Sequence, residues 1–450
     1  MKSYAIEREL VHAPSVLDDF PSPLPSTSSI VVVGVGYVGL PLAILAASKK
    51  YRAIGFDIDE AKISRLTKRD ANYITDEEQE LLRKQDNISF TSREDDIWHA
   101  SAYIICVPTP VKADHTPDLE PLKNASRIVG RHLSRGSLVV IESTVNPGAC
   151  EDVALPILES ESGLEAESDF YFAHCPERVN PGDVKWNVRT IPRVIGAIGE
   201  ESLAQAIALY QNLLDAPLQA MPSIKEAEAV KMVENAFRDI NIAFVNELAM
   251  SFDRAGIDLL SVIEGASSKP FAFMPHIPGC GVGGHCIPVD PYYLIRYGEK
   301  NGFEHRFLLT ARLTNQKMPK YAVRRLSHAL RQKKRLLRGS TVALLGLAYK
   351  KDIPDHRESP ALEIEKELRA KGARVRTFDP FVPKLSSEGT LEDALQGADV
   401  AVIATDHTFF RALTPENFTR AGVDIIIDGR NCLDKKAFQE SGVTYRGIGR

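Results

Sequence analysis

The residues best suited to chemistry lie together in GCGVGGHCIPVDPYYL, residues 279–294. Gly279, Gly281, Gly283 and Gly284 would weaken any regular element, so they belong where backbone must pass close to something else. Cys286 follows at once, and Pro288 suits the first turn of a helix. Cys286 would then stand at or near a helix N-terminus, where the dipole favours a thiolate. Asp290, four residues on, would share its side of that helix. A nucleophile beside a carboxylate suits covalent catalysis with assisted proton transfer; a buried structural cysteine is the plainer alternative. His285 is an acid–base candidate by residue type alone, and its place in extended chain argues for a structural or substrate-lining role.

A second constellation is Gly34, Gly36 and Gly39 in GVGYVG, after the β-branched run IVVV and before LPLAILAASKK. G-x-G-x-x-G between strand and helix is a dinucleotide signature: Gly34 permits the tight turn, Gly36 the approach of a pyrophosphate, and Gly39 close helix–strand packing. Asp57, at the end of the next apolar run, lies at the distance expected of a ribose-binding acid. A carboxylate there repels a 2′-phosphate, which favours NAD over NADP. Asp59 could share that role.

The elements around these residues alternate. Apolar runs at 102–107, 137–143 and 169–175, separated by helix-compatible stretches, predict a parallel sheet covered on both faces. From Ile224 to about Gly256, Val230, Val233, Phe237, Ile240, Phe244 and Leu248 recur at helical spacing and predict one long helix. Asn301–Gly302 and Pro319 punctuate further helical segments. After the basic run 331–338, read as a solvated linker, runs at 341–349, 399–405 and 423–431 restore the α/β pattern, with a helix ending at Gly372. The fold class is therefore α/β: two Rossmann-like doubly wound domains joined by a long central helix and a helical dimerisation region. The expected divisions are a flexible extension over 1–28, an NAD-binding domain over 29–215, a central helical domain with the cysteine loop over 216–330, and a second Rossmann-like domain over 331–450.

A net charge of −5 gives no reason to expect nucleic acid or an anionic membrane as partner. No run approaches a membrane span, and the N-terminus lacks a secretory apolar core. Six cysteines without CxxC or Cys/His zinc spacing predict neither a disulfide scaffold nor a metal site, and a cytoplasmic location is the simplest expectation.

Taken in order, GVGYVGLPLA, CVPTP, ESTVNPG, CPERVNPGD, KMVENAFRDINIAFVNE, GVGGHCIPVDP, YKKDIPDHRESP and DGRN resemble the UDP-glucose/GDP-mannose dehydrogenase family over nearly all the chain beyond the extension. SSKPFAFMPHIPG with HCIPVDPYYL is similar to its UDP-N-acetylhexosamine branch, most of all to UDP-N-acetylglucosamine 6-dehydrogenases; mannosamine, galactosamine and glucose enzymes are alternatives. Val289 stands where UDP-glucose members usually have lysine, and Cys280 where the family usually has proline in PGPG.

The resemblance implies a UDP-binding C-terminal domain, a homodimer, and a four-electron oxidation at C6 of the sugar with two NAD, of a kind that feeds surface polysaccharides. It implies Cys286 as nucleophile, Lys231 and Asn235 as oxyanion donors, Asp290 and Thr144 as water-positioning groups, and Glu177 as an aid to thioester hydrolysis. For NAD it implies Gly34, Gly36, Tyr37, Val38, Gly39, Asp57, Pro108, Thr109, Thr144 and Arg357. For substrate it implies Glu177, Arg178, Val179, Lys231, Asn235, Gly283, Lys350 and Arg430. Two other classes compete: a two-electron dehydrogenase without a thiol, and a non-catalytic nucleotide-sugar-binding protein.

Overall fold

The computed structural model describes residues 24–25, 27–71, 73–112, 114–179 and 185–450. The extension expected over 1–28 therefore lies largely outside the described residues. The chain divides into two compact units: the described part of Val11–Glu234 with Tyr292–Asn301, and Asn235–Pro291 with Gly302–Arg450.

The first unit is built on eight strands: β1 (Ser29–Val33), β2 (Arg52–Phe56), β3 (Ile88–Thr91), β4 (Ala102–Ile105), β5 (Leu138–Ile141), β6 (Tyr171–His174), β7 (Arg193–Ala197) and β8 (Leu218–Ala220). Their order is β3-β2-β1-β4-β5-β6-β7-β8. The first six run parallel in the 3-2-1-4-5-6 order that binds dinucleotides where the order reverses, beside β1. β7 then runs antiparallel to β6, so the sheet is mixed rather than wholly parallel as expected. Alternate residues of β1 feed opposite faces. Ile30 and Val32 enter one core with Leu40, Ala43 and Leu209; Val31 and Val33 enter another with Tyr103, Val129 and Phe172. Both faces are thus covered, which is why the strands read as unbroken apolar runs.

The second unit carries β9 (Thr341–Leu345), β10 (Arg374–Phe378), β11 (Val400–Ile403), β12 (Ile425–Asp428) and β13 (Thr444–Gly447), all parallel in the order β10-β9-β11-β12-β13. The helix Pro360–Ala370 is capped by Ser359, starts on proline, and stops before Gly372 at φ 82°.

The predicted long helix runs Ile224–Ala255. The apolar stripe that predicted it is not its buried face: Phe237 and Phe244 are about half exposed, while Ala227, Met232, Ala236, Ala243 and Ala249 are buried. Pro319 does not punctuate a helix but lies inside Arg306–Gln332, buried among its neighbours. The basic run is not a loose linker, because Lys333 and Arg335 pair with Asp424 beside β12. Among the described residues no helix is long and apolar enough to cross a membrane.

Candidate active site

In the first unit, β1 delivers the glycine turn. Gly34 has φ 92°, and a Cβ there would meet the Cys106 carbonyl oxygen at 2.8 Å; a Cβ on Gly39 would collide with the Gly34 carbonyl. A Cβ on Gly36 would meet nothing within 4 Å, so the open space lies where a pyrophosphate must approach. The helix Gly39–Ser48 begins with no side-chain cap and no acidic residue in its first turn, which leaves its N-terminus suited to an anion. Val38 is the residue before that helix, and Tyr37 lies exposed against Tyr73. Asp57 leaves β2 buried; its Oδ2 accepts from Val35 N (3.1 Å) and pairs with Lys62 Nζ (2.6 Å). These residues fit NAD. The Asp59 carboxylate accepts from Lys62 N and caps the helix Glu60–Thr67.

After β4 and β5, Thr109 Oγ1 donates to the Thr144 carbonyl (2.5 Å), tying together the two loops that carry Pro108, Thr109 and Thr144. Tyr293 Oη donates to the Thr109 carbonyl at 2.5 Å. After β6, Lys231 Nζ donates to the Glu177 carbonyl and lies 3.4 Å from Glu177 Oε2, both side chains being nearly buried. Glu177 accepts in turn from the Val179 N–H, and Arg178 pairs with Glu234. Behind this loop sits a fully buried pair, Arg193 Nη1 to Glu142 Oε2 at 3.2 Å, with Tyr210 Oη donating to Glu142 Oε1 at 2.5 Å. Burial pushes the Glu142 carboxyl up against the opposing pull of Arg193 and Tyr210.

Glu228, one turn before Lys231, accepts from Gly148 N (2.5 Å) and Cys150 N (2.8 Å). It thereby ties the Thr144-bearing segment to the long helix. Burial raises its pKa to about 7, although both amide donors favour the carboxylate.

In the second unit, the glycine loop lies against the segment from Tyr349 to Pro360. A Cβ on Gly283 would stand 2.7 Å from the Glu358 carbonyl oxygen, and one on Gly284 (φ 90°) 2.7 Å from the Tyr349 ring. Gly284 N donates to the Arg357 carbonyl (3.0 Å), while the Arg357 guanidinium grips Asp355 through Nε and Nη2. The Cys286 carbonyl accepts from Val289 N (3.0 Å) and Asp290 N (2.8 Å), the bonding of a residue that opens a helical turn, and the helix Asp290–Lys300 follows. Asp290 is buried and accepts from Asn235 Nδ2 at 2.5 Å. Cys286 Sγ lies 3.1 Å from His285 Nδ1.

Lys350 stands half-buried in the loop after β9. Arg430, after β12, is held by Asp406 (Nε to Oδ1, 3.3 Å), and a Cβ on Gly279 would lie 3.1 Å from its Nη1. Burial opposes the charge on Asp406, but Arg430 and Arg411 together hold its carboxyl below the usual range. Cys280, in the place usually held by proline, is buried; its N–H donates to the Gly429 carbonyl at 3.0 Å, a bond proline could not make.

Sequence reasoning missed Tyr293, Lys62, Glu228 and the Glu142–Arg193–Tyr210 cluster. Tyr293 lies inside the cysteine motif, so its position was a signal. Lys62 lies only five residues after Asp57, in the helix that follows. Glu228 and the Glu142 cluster carried no signal, because their partners are distant in sequence.

The UDP-glucose/GDP-mannose dehydrogenase family models match over residues 28–214 (NAD binding domain), 225–317 (central domain) and 343–435 (UDP binding domain). A UDP-N-acetyl-D-mannosamine dehydrogenase of Pyrococcus horikoshii is 38% identical over 425 residues, 94% of this chain and 99% of the relative. A UDP-N-acetyl-D-glucosamine 6-dehydrogenase of Pseudomonas aeruginosa is 38% identical over 90% of this chain and 97% of its own length. A solved structure of the Pyrococcus horikoshii UDP-D-ManNAc dehydrogenase superposes with a TM-score of 0.88 at 37% identity, covering 94% of this chain and 99% of that one. With the glycine turn, the strand order and these matches together, the chain belongs to the UDP-glucose/GDP-mannose dehydrogenase family, with NAD as its cofactor.

Proposed function

We propose that the protein oxidises the C6 hydroxyl of a UDP-N-acetylhexosamine to the carboxylate, with UDP-N-acetylglucosamine as the first substrate to test. UDP-N-acetylmannosamine is the second, because relatives of equal identity carry each name. The observation that carries the reading is the placement of Cys286: it opens a helical turn behind a glycine loop held against the Tyr349–Pro360 segment.

Bound NAD supplies the hydride acceptor for both oxidations. The protein's task is the second one, since a free aldehyde has no hydroxyl from which to expel hydride. Cys286 adds to the aldehyde carbon as a thiolate, giving a thiohemiacetal whose oxidation leaves a thioester. Lys231 and Asn235, four residues apart on one helix, hold the oxygen as charge develops on it. Asp290, oriented by Asn235, and Thr144 position the water, and Glu177 assists hydrolysis of the thioester. Gly283, Lys350 and Arg430 meet the substrate with Arg178 and Val179, the cations serving the pyrophosphate. Arg357 reaches NAD together with Tyr37, Val38, Pro108 and Thr109.

The working divisions are an NAD domain over 29–215, a central domain over 216–330 and a UDP domain over 331–450. The exposed stripe of Phe237 and Phe244, with Phe271 and Phe307 also well exposed, supports a homodimer through the central region in the cytoplasm. A panel of UDP-sugars, followed by NADH absorbance with the product identified by mass, tests the reading. Turnover of an N-acetylhexosamine to its uronate is the expected result; turnover of UDP-glucose alone would overturn the substrate assignment.

A further inference from the structure

The proposed nucleophile has a titratable neighbour in its own loop. Cys286 Sγ and His285 Nδ1 are 3.1 Å apart, within reach of a sulfur–nitrogen hydrogen bond. The contact depends on local backbone that the glycines fix. Gly284, directly before His285, has φ 90°, lies against the Tyr349 ring, and donates its N–H to the Arg357 carbonyl. Asp355, two residues before Arg357, is gripped by its guanidinium. Burial opposes ionisation of Asp355, yet the hydrogen bonds from Arg357, with His285 adding to them, hold its carboxyl below the usual range. The segment packed on this loop also carries Tyr349, Lys350, Lys351, Asp352, His356, Arg357 and Glu358, and Asp290 on the loop's own side is engaged by Asn235.

We propose that His285 is a further catalytic residue: it takes the Cys286 proton and keeps the sulfur as a thiolate. This rests on the reading of Cys286 as nucleophile. In the tautomer with hydrogen on Nε2, the Sγ–H donates to Nδ1. The proton passes to Nδ1, leaving a thiolate and an imidazolium, with no change of oxidation state. The sulfur lone pair then forms the S–C bond to the aldehyde, and the carbonyl π pair moves to oxygen. When water later adds to the thioester, the S–C bond breaks with its electron pair returning to sulfur. The water's protons leave to solvent, and the imidazolium is in place to meet the departing thiolate.

The test is the pH dependence of Cys286 alkylation by iodoacetamide in the full-length protein without nucleotides, read on the Cys286 peptide by mass spectrometry. An ordinary thiol, with a pKa near 8.5, is about 1% ionised at pH 6.5. His285→Asn should therefore slow alkylation at pH 6.5 by tenfold or more while leaving the rate at pH 9.5 nearly unchanged. His285→Gln should behave alike, which guards against a variant that misfolds. Superimposable pH profiles for parent and both variants would overturn the proposal. Cys286→Ser separates the two readings: it should bind UDP-sugar and NAD but release no acid. Normal uronate formation by Cys286→Ser would remove the nucleophile and His285's role with it. An inactive Cys286→Ser with unshifted alkylation profiles would remove only the role of His285.

Discussion

Glu228→Gln is the sharpest probe of how the first unit holds its loops. Glu228 is buried, and its two oxygens accept from Gly148 N and Cys150 N. Its pKa is raised by burial from 4.5 to about 7, which corresponds to roughly 3 kcal/mol of preference for the protonated form. Between these two pH values the folded chain binds more protons at this site than the unfolded chain does. This contribution is fully present below pH 4.5 and is lost as pH rises through about 7. Glutamine does not titrate, so the stability difference, parent minus variant, should fall by roughly 3 kcal/mol between pH 4.5 and pH 8. Other titrating groups cancel in that difference. Glutamine also turns its NH2 toward one of the two amide donors, which should cost about 1–3 kcal/mol at every pH. Urea denaturation followed by tryptophan fluorescence is a suitable assay, because Trp98 and Trp186 both lie in the same unit as Glu228. Parallel stability curves for parent and variant across this pH range would refute the reasoning, since they would mean the carboxylate stays charged where it is buried.

Three other outcomes follow from the same geometry. Gly283→Ala should destabilise the protein by about 1–3 kcal/mol, measured by urea denaturation, because its Cβ would press on the Glu358 carbonyl from 2.7 Å. Asp57→Ala should raise the KM for NAD about tenfold or more and narrow the preference over NADP, as steady-state kinetics with each cofactor would record, since it removes the carboxylate proposed to hold the ribose. Phe244→Glu places a charge in the exposed stripe of the long helix, and light scattering should then show a dimer shifting to monomer.

The cofactor end was legible in the sequence because its requirements are local. A glycine turn, a strand before it and an acid after the next strand fall within thirty residues, and the structure places Gly34, Gly39 and Asp57 as that pattern demands. The long helix was legible for a different reason. Its 3.6-residue stripe is real, but Val233, Phe237 and Phe244 are exposed, because periodicity reports an apolar face and not what covers it. Pro319 was misread since a helix can keep a buried proline when tertiary packing outweighs the lost N–H bond. The antiparallel β7 and the buried Glu142–Arg193 pair were not legible at all. The pairing of strands and of distant charges is decided by contacts that no window of sequence contains. The cap that Asp59 provides to the helix starting at Glu60 is a local role that residue type alone did not single out.

The central claim is that a sulfur atom carries the sugar through a second oxidation. The most direct measurement is the ratio of NADH formed to UDP-sugar consumed at completion, with limiting sugar and excess NAD. Two NADH per sugar acid is the predicted ratio; one NADH per sugar, with an aldehyde or ketone as product, would contradict it.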